Sequence, residues 1–274
     1  MKNVNRPELW TLLLGIDEKK ITVVRYSRAQ QNSLMSDVIA LSGQGDFKQR
    51  LETAVYDNEP LLQDYGTIRI VIRPENFLLL PPDVTDEAEA EQLLRASLAS
   101  TTGEAVLADP PGDGDPRVAM LLQDGVFGFL KRTFANGMVY CHLSPLIRAA
   151  TELAGTVAHR QMHINLEENA MDVTVTGEGR LEAANTFRFT DINDAAYFAL
   201  KMWETLSLDQ RSDELLLTGK HKDRGQLLET LRKYVETAMP EMLPATALKL
   251  GDKVTEIPYV LIQAAVLGDK TGDQ

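Results

Sequence analysis

Two segments that lie far apart in the chain follow the same pattern of residue types. Residues 16–23, IDEKKITV, can be laid on residues 166–173, LEENAMDV, so that each segment has apolar residues on both sides of an acidic turn. Apolar runs that flank a short polar turn are typical of a β-hairpin. Few letters are identical, and two unrelated hairpins would also give this match. We therefore compare the order of the predicted elements that follow each hairpin, because a shared order is better evidence for a repeat than the matching letters.

The same order of predicted elements follows each hairpin. In the first half we predict four strands and, after the third of them, a helix capped by Asp46: strands 10–16, 21–26, 34–41 and 68–72. In the second half we predict four strands and two helices: strands 162–166, 171–175, 181–189 and 215–218, with helices 191–206 and 225–238. β-Branched runs favour the strands, and apolar residues at helical spacing favour the helices. The chain is therefore predicted to be an α/β protein with a duplicated βββαβα plan and domains 1–155 and 156–274.

Residues 76–122 interrupt the first half and are predicted to be an inserted α+β subdomain. They contain two strands, a helix with an acidic first turn and a turn rich in Pro, Gly and Asp: strands 77–80 and 118–122, helix 86–100 and turn 109–116. Acidic residues in a first helical turn suit the helix dipole. The remaining predicted elements are helices 126–134, 145–153 (capped by Ser144) and 257–267, and strands 138–142 and 247–250.

The charge of the chain limits its partners and its location. The chain has 28 Lys and Arg against 40 Asp and Glu, a formal net charge of −12. Phosphate backbones and anionic headgroups are bound by Lys and Arg, so we expect neither nucleic acid nor a membrane surface as a partner. The apolar run Leu9–Ile16 is too short to span a bilayer, so no direct membrane insertion is expected. The single cysteine, Cys141, excludes an intramolecular disulfide, and we expect a cytoplasmic location.

No motif in the chain predicts a catalytic or metal site. Gly43 and Gly45 follow a strand, as in a dinucleotide fingerprint, but Lys48 stands where the third glycine belongs. His159 and His163 are four residues apart, but His163 begins a predicted strand and no carboxylate or cysteine lies at ligand spacing. No serine has the Gly-x-Ser-x-Gly context of a hydrolase nucleophile. We therefore predict no catalytic residue and no metal ligand.

The duplicated plan resembles that of actin and the sugar kinases, and this resemblance implies a nucleotide site between the two halves. Each hairpin turn would then need an acidic residue for Mg²⁺ and small residues that let backbone N–H groups approach phosphate. The candidate ligands are Asp17, Lys19 and Lys20 in the first turn, Glu167 in the second, and Gly219 after strand 215–218. No glycine follows Asp17, and the second turn adds negative charge beside Glu167. The turns favour a nucleotide fold whose site has been lost, while Lys19 and Lys20 leave ATP with Mg²⁺ open as a cofactor.

The chain also resembles an uncharacterised family of unknown function from Bacteroidetes bacteria, family 3822. The likeness rests on residues 185–191 (NTFRFTD), 194–198 (DAAYF), 206–209 (LSLD), 215–219 (LLLTG) and 69–82, and on the opening hairpin. The resemblance implies an actin-like ATPase (ribonuclease H-like) fold. It also implies a distant similarity to actin-like proteins of type IV pilus and type II secretion assembly, in which an inserted subdomain occupies the place of residues 76–122. The chain departs from active ATPases at all three nucleotide loops.

These patterns lead to two functional hypotheses of different classes. The first is a non-catalytic cytoplasmic interaction or scaffold protein with an unidentified protein partner, degenerate nucleotide loops and no cofactor. The alternative is an ATP-binding protein, ATPase or kinase that uses the cleft between the domains, with Asp17 and Glu167 as the metal-side carboxylates. Self-association into a homo-oligomer is a third hypothesis. The two main classes differ in one measurable property, the affinity for ATP with Mg²⁺.

Overall fold

The computed structural model describes residues 1–81, 83–84, 86–98, 102–109 and 115–267. The chain divides into two compact units. Unit 1 contains Met1–Pro145, Ala245–Ile257 and the described part of Ala264–Gln274, and unit 2 contains Leu146–Pro244 and Pro258–Gln263. This division follows from how compactly the residues pack, and it does not test where the second repeat begins. The domains 1–155 and 156–274 therefore stay a prediction.

The strands and helices alternate along the chain. The strands are β1 (Thr11–Ile16), β2 (Lys20–Tyr26), β3 (Met35–Ala40), β4 (Thr67–Ile72), β5 (Asn76–Leu80), β6 (Glu104–Leu107), β7 (Arg117–Leu122), β8 (Gly137–Cys141), β9 (Gln161–Leu166), β10 (Ala170–Gly177), β11 (Arg180–Arg188), β12 (Glu214–Gly219) and β13 (Thr237–Pro240). The helices are α1 (Phe47–Tyr56), α2 (Glu87–Ser97), α3 (Val126–Thr133), α4 (Leu143–Ala154), α5 (Ile192–Thr205), α6 (Arg224–Leu231), α7 (Ala245–Leu248) and α8 (Tyr259–Val266). Among the described residues, none of these helices has the length and apolar composition of a membrane span.

Each unit contains a five-stranded sheet, and the two sheets have the same topology. Sheet 1 has the order β3-β2-β1-β4-β8, and sheet 2 has the order β11-β10-β9-β12-β13. In both sheets the first three strands pair antiparallel, and the fourth and fifth strands run parallel to the first. The hairpins also share a register, because Ile16 pairs with Ile21 and Leu166 pairs with Met171. The predicted duplicated fold is therefore confirmed.

The predicted insertion forms a small sheet of its own within unit 1. Its order is β5-β7-β6, with antiparallel neighbours, and α2 shares a core with it: Leu80, Val84, Ala90, Leu94, Ala119 and Leu121. The sequence pattern does not predict β6, because four residues give too short an apolar run. Helix α2 begins after Asp86, whose side chain accepts from Glu89 N, and its described part ends at Ser97. Residues 99–100 of that predicted helix and 110–114 of the predicted turn lie outside the described residues.

Local patterns explain the helix starts and the core of unit 2. Helix α1 begins with a capping box in which Asp46 and Gln49 bond each other's backbone N–H. One face of sheet 2 packs on α5 and α6 in a continuous apolar core, which includes Met162, Ile164, Leu166, Met171, Val173, Trp203, Leu227 and Leu231. Because side chains alternate across a strand, the even-numbered residues of β9 face this core. The odd-numbered residues of β9 therefore face the opposite side.

Three details of the predicted elements are wrong. Residues 247–250 are not a strand, because helix α7 covers Ala245–Leu248; Ala and Leu favour a helix directly after Pro244. Helix α6 ends at Leu231, well before 238, because residues 237–240 pair with β12 as the edge strand β13. Ser144 is not a cap, since α4 begins one residue before it. In the second case a pairing partner outside the local apolar pattern decides the structure.

Candidate functional site

The turn between β1 and β2 holds three of the predicted nucleotide ligands. It closes with a hydrogen bond from Asp17 N to Lys20 O, at 3.1 Å. Oδ1 of Asp17 also accepts from the backbone N–H groups of Lys19 and Lys20, at 2.8 and 3.0 Å. The side chains of both lysines are exposed. The carboxylate of Asp17 therefore stabilises its own turn and occupies two of the N–H groups with which a tight turn can bind an anion.

The turn between β9 and β10 has the same length and a different chemistry. Glu167 N donates to Ala170 O at 2.9 Å. Glu167 is half-buried, whereas Glu168 and Asn169 are exposed. Residues 167–170 include no glycine and no lysine. The second turn thus contains two carboxylates and no cation of its own.

Gly219 ends β12 in a backbone conformation that favours glycine. Its φ is +102°, and a Cβ at this position would collide with the carbonyl oxygen of Leu166. The backbone N–H groups of Lys220 and His221 both donate to the same oxygen, at 3.0 and 3.2 Å. The close approach of β12 to β9 therefore requires this glycine independently of any ligand.

The structure groups the predicted ligands by unit. Asp17, Lys19 and Lys20 share one turn of unit 1, and in unit 2 Glu167 directly follows Leu166, the residue that pairs with Gly219. Across the described residues, no group of three or more His, Cys, Asp or Glu is placed to hold a metal ion. The role of the five residues in binding a nucleotide stays a prediction.

A cleft in unit 1, which the sequence patterns do not predict, lies where the parallel strands β1 and β4 end. Its volume is about 430 Å³, a size typical of pockets that bind small ligands or side chains. Open α/β sheets bind ligands at the carboxyl ends of their strands. The charged residues that line the cleft are Glu18, Arg73, Glu75 and Asp124. They come from three separate segments, so no local pattern in the sequence could identify the cleft.

Sheet 2 also has a buried polar face, on the side of β9 opposite the apolar core. His163 and Asn165 on β9 and Asp172 and Thr174 on β10 are each at most 6% exposed. These four residues line a small cavity, together with Thr218, Glu241, Tyr259, Leu146 and others. A fold with an apolar core on one face does not require polar residues on the other. The polar residues therefore need an explanation of their own.

Asp172 is the acceptor at the centre of one hydrogen-bond network on this face. Its carboxylate accepts from Nδ2 of Asn165 at 3.0 Å and from Oγ1 of Thr186 at 2.9 Å. Hydrogen bonds to a carboxylate are among the stronger ones in proteins. The three side chains join β9, β10 and β11, the three antiparallel strands of sheet 2.

Glu241, just after β13, is the acceptor of a second network. Its Oε1 lies 3.2 Å from Nδ1 of His163, and its carboxylate also accepts from the hydroxyl of Tyr259. Burial, followed by the charge and hydrogen bond of Glu241, raises the pKa of Tyr259 far above its ordinary value. The phenol of Tyr259 therefore stays protonated and donates to Glu241 at any physiological pH.

The duplicated sheets and the insertion in the first of them define the class of actin-like ATPase folds. A crystal structure from Bacteroides thetaiotaomicron, described as a protein with actin-like ATPase fold and unknown function, matches with a TM-score of 0.78 and 18% identity, over 96% of this chain and 98% of that chain. A chain of the PilM–PilN type IV pilus biogenesis complex matches with a TM-score of 0.51 and 12% identity, over 93% and 97% of the two chains. Both likenesses concern the fold.

The particular family is given by the sequence itself. The chain belongs to the DUF3822 family, described as a protein of unknown function, whose family model matches residues 2–237. A search of curated proteins finds no match. The family and the actin-like fold predicted from the sequence are therefore both confirmed.

Proposed function

We propose that this protein is a non-catalytic interaction protein that keeps the actin-like fold without a working nucleotide site. The observation that carries the proposal is the β1–β2 turn. There the carboxylate of Asp17 accepts from the N–H groups of Lys19 and Lys20, so a phosphate would have to displace a negative charge that is part of the same turn. That exchange is unfavourable, since the turn would lose two charge-assisted hydrogen bonds.

The second unit supports the same proposal. Glu167 and Glu168 place two carboxylates in the β9–β10 turn, where like charge opposes a phosphate. Gly219 is already required by the approach of β12 to Leu166, so its presence does not by itself indicate a nucleotide loop. The residues of all three loops thus fit a structural role better than ATP with Mg²⁺.

The cleft of unit 1 is the place where we expect a partner to bind. Among the described residues, its lining carries three carboxylates, Glu18, Glu75 and Asp124, against one guanidinium, Arg73. A protein segment with Lys or Arg beside an apolar side chain would complement both the charge and the size of the cleft. The match to a chain of the PilM–PilN complex supports an interaction role for a protein of this fold. We further propose a cytoplasmic location.

Calorimetric titration of ATP with Mg²⁺ into the purified chain tests the loss of the nucleotide site. We expect no binding tighter than about 100 μM, which corresponds to about −5.5 kcal/mol. The variant Asp17→Gly removes the competing carboxylate, and we expect it to bind inorganic phosphate more tightly than the wild type does. Binding of ATP by the wild type tighter than about 100 μM would rule out the proposal.

The alternative function, an ATP-binding protein or ATPase, is favoured by the exposed side chains of Lys19 and Lys20. It requires that the purified wild type releases phosphate from ATP and that Asp17→Ala abolishes this release. The lack of any measurable release by the wild type would exclude an ATPase while leaving the interaction role intact.

Site-specific photo-crosslinking tests the docking surface. A photoreactive residue is placed at Asp124, which lines the cleft, and as a matched control at Lys222, an exposed residue of unit 2. We expect a specific protein adduct from position 124 in cells and none from position 222. Equal labelling from both positions would show that the cleft is not the docking surface.

A further inference from the structure

Four buried polar atoms on the polar face of sheet 2 have no hydrogen-bond partner among the described residues, and two of these atoms belong to residues that line the small cavity. These two are Oδ1 of Asn165 and Nε2 of His163, and the residues are 3% and 6% exposed. Both side chains belong to β9, two positions apart, and so point to the same face. Both line the same small cavity. An unpaired buried polar atom costs free energy, so the cavity is where a partner is expected.

The hydrogen-bond partners of the two side chains assign both atoms as acceptors for a neutral His163 ring. Nδ2 of Asn165 donates to Asp172, which leaves Oδ1 as the free end of the amide. An ionised carboxylate can only accept, so Nδ1 of His163, beside Oε1 of Glu241, carries the proton. In the neutral imidazole Nε2 then has no hydrogen and is an acceptor. The cavity therefore needs an occupant that supplies two donor hydrogens.

The size and lining of the cavity match one small molecule. The cavity measures about 10 Å³, close to the space that a single water molecule needs in a protein interior. Thr174 and Thr218 also line it, and their hydroxyl groups can donate to the lone pairs of an occupant. Water has two donor hydrogens and two lone pairs, so it satisfies these groups together.

We propose that this cavity is a binding site for one internal water molecule that donates to Nε2 of His163 and to Oδ1 of Asn165. The water joins the network centred on Asp172 to the network centred on Glu241. A continuous buried network then runs through unit 2 from Thr186 on β11 to Tyr259 on α8. Buried networks of this kind are rigid when every group is satisfied, and this one fixes the base of the β9–β10 hairpin.

A high-resolution crystal structure of the full chain is the direct test. We expect one density peak within about 2.7–3.2 Å of both Nε2 of His163 and Oδ1 of Asn165. Crystals soaked in rubidium chloride provide the second arm, because rubidium replaces a bound potassium ion and scatters anomalously. Anomalous signal in the cavity would show that a monovalent cation occupies it, and this result would overturn the assignment of water. The lack of any peak would also overturn the proposal.

Nuclear magnetic resonance of the ring nitrogens of His163 tests the hydrogen count independently. We expect a neutral ring with the proton on Nδ1, and a perturbed Nε2 signal in Asn165→Leu, which removes the second anchor of the water. Thr176→Val is the matched control, because Thr176 is fully buried with an unpartnered Oγ1 and is not among the residues that line the cavity. It should leave the His163 signals unchanged. A ring protonated on both nitrogens would contradict the assignment of Nε2 as an acceptor.

Discussion

The two five-stranded sheets have the same order and the same hairpin register, yet equivalent positions carry opposite chemistry. The first strand ends beside the fourth at Ile16 and Ile72 in sheet 1, and at Leu166 and Gly219 in sheet 2. Counting back from these pairs, Leu13 and Gly15 of sheet 1 correspond to His163 and Asn165 of sheet 2. The side chains at these positions of sheet 1 have no polar group that needs a hydrogen-bond partner. Those of sheet 2 belong to hydrogen-bond networks.

Sheet 1 also buries two charged side chains, Arg25 and Arg69, and both are cations. Arg25 is 2% exposed and donates to Lys2 O at 2.6 Å and to the carboxylate of Asp37 at 2.9 Å. Arg69 is 7% exposed and donates to Ala264 O at 2.8 Å. Sheet 2 instead buries the carboxylate of Asp172, which accepts from Asn165 and Thr186. The shared topology therefore fixes the backbone, and the residues on the face decide which charge each sheet holds.

The end of the fourth strand gives the largest expected difference between the sheets. Ile72 stands there in sheet 1, but Gly219→Ala in sheet 2 would drive a Cβ into the backbone of Leu166 at a positive φ. We expect the free energy of unfolding to fall by about 3 kcal/mol. Gly225→Ala is the control, because a Cβ there meets nothing within 4 Å and lies in helix α6; it should be neutral or stabilising. Urea denaturation measures both, and equal losses would refute the close approach.

The second strand gives a smaller expected difference, between Asp172 in sheet 2 and its equivalent in sheet 1, Thr22. Asp172→Ala leaves the donors on Asn165 and Thr186 without this acceptor, so we expect a loss of about 2 kcal/mol in the free energy of unfolding. Thr22→Ala, at a position 6% exposed, should cost about 1 kcal/mol or less. The same denaturation series compares them. If Thr22→Ala lowered the free energy of unfolding as much as Asp172→Ala does, the hydrogen bonds of Asp172 would not stabilise sheet 2 more than an ordinary buried polar side chain does.

The sequence predicts the sheets because their central strands are local apolar runs. The hairpins that begin at Ile16 and Leu166 are recognisable from residue types alone, and the structure pairs them in that register. The edge strand β13 has no such run, since its four residues are Thr, Ala, Met and Pro. It is a strand because β12 supplies hydrogen bonds from one side. Elements that depend on a distant partner are therefore the ones that local patterns miss.

The polar cavity could not be predicted as a site, although one signal is present in the sequence. Polar residues alternate with apolar ones at 161, 163 and 165 in β9 and at 172, 174 and 176 in β10. The same alternation is expected of a strand with one face in water, so burial had to be known before a network could be inferred. Glu241 and Tyr259 come from outside these strands, and no spacing relates them to His163.

The first residue of the fourth strand gives the smallest expected difference, and it depends on pH. The residue is Thr67 in sheet 1, which does not titrate, and Glu214 in sheet 2. Burial raises the pKa of Glu214, but hydrogen bonds from Gln161 and His159 lower it by more, so the pKa lies below its ordinary value. Because the folded pKa is lower than the unfolded one, the stabilisation is complete above the ordinary pKa of about 4.3. It is lost as the pH falls through the depressed pKa.

Glu214→Gln removes the titrating group and keeps the shape of the side chain. We expect the stability difference between the wild type and this variant to shrink as the pH is lowered from about 6 to about 3, when thermal unfolding is followed at each pH. Thr67→Val, at the equivalent position of sheet 1, should differ from the wild type by an amount that does not change with pH. A constant difference for Glu214→Gln would mean that Gln161 and His159 do not favour the ionised carboxylate over the protonated one.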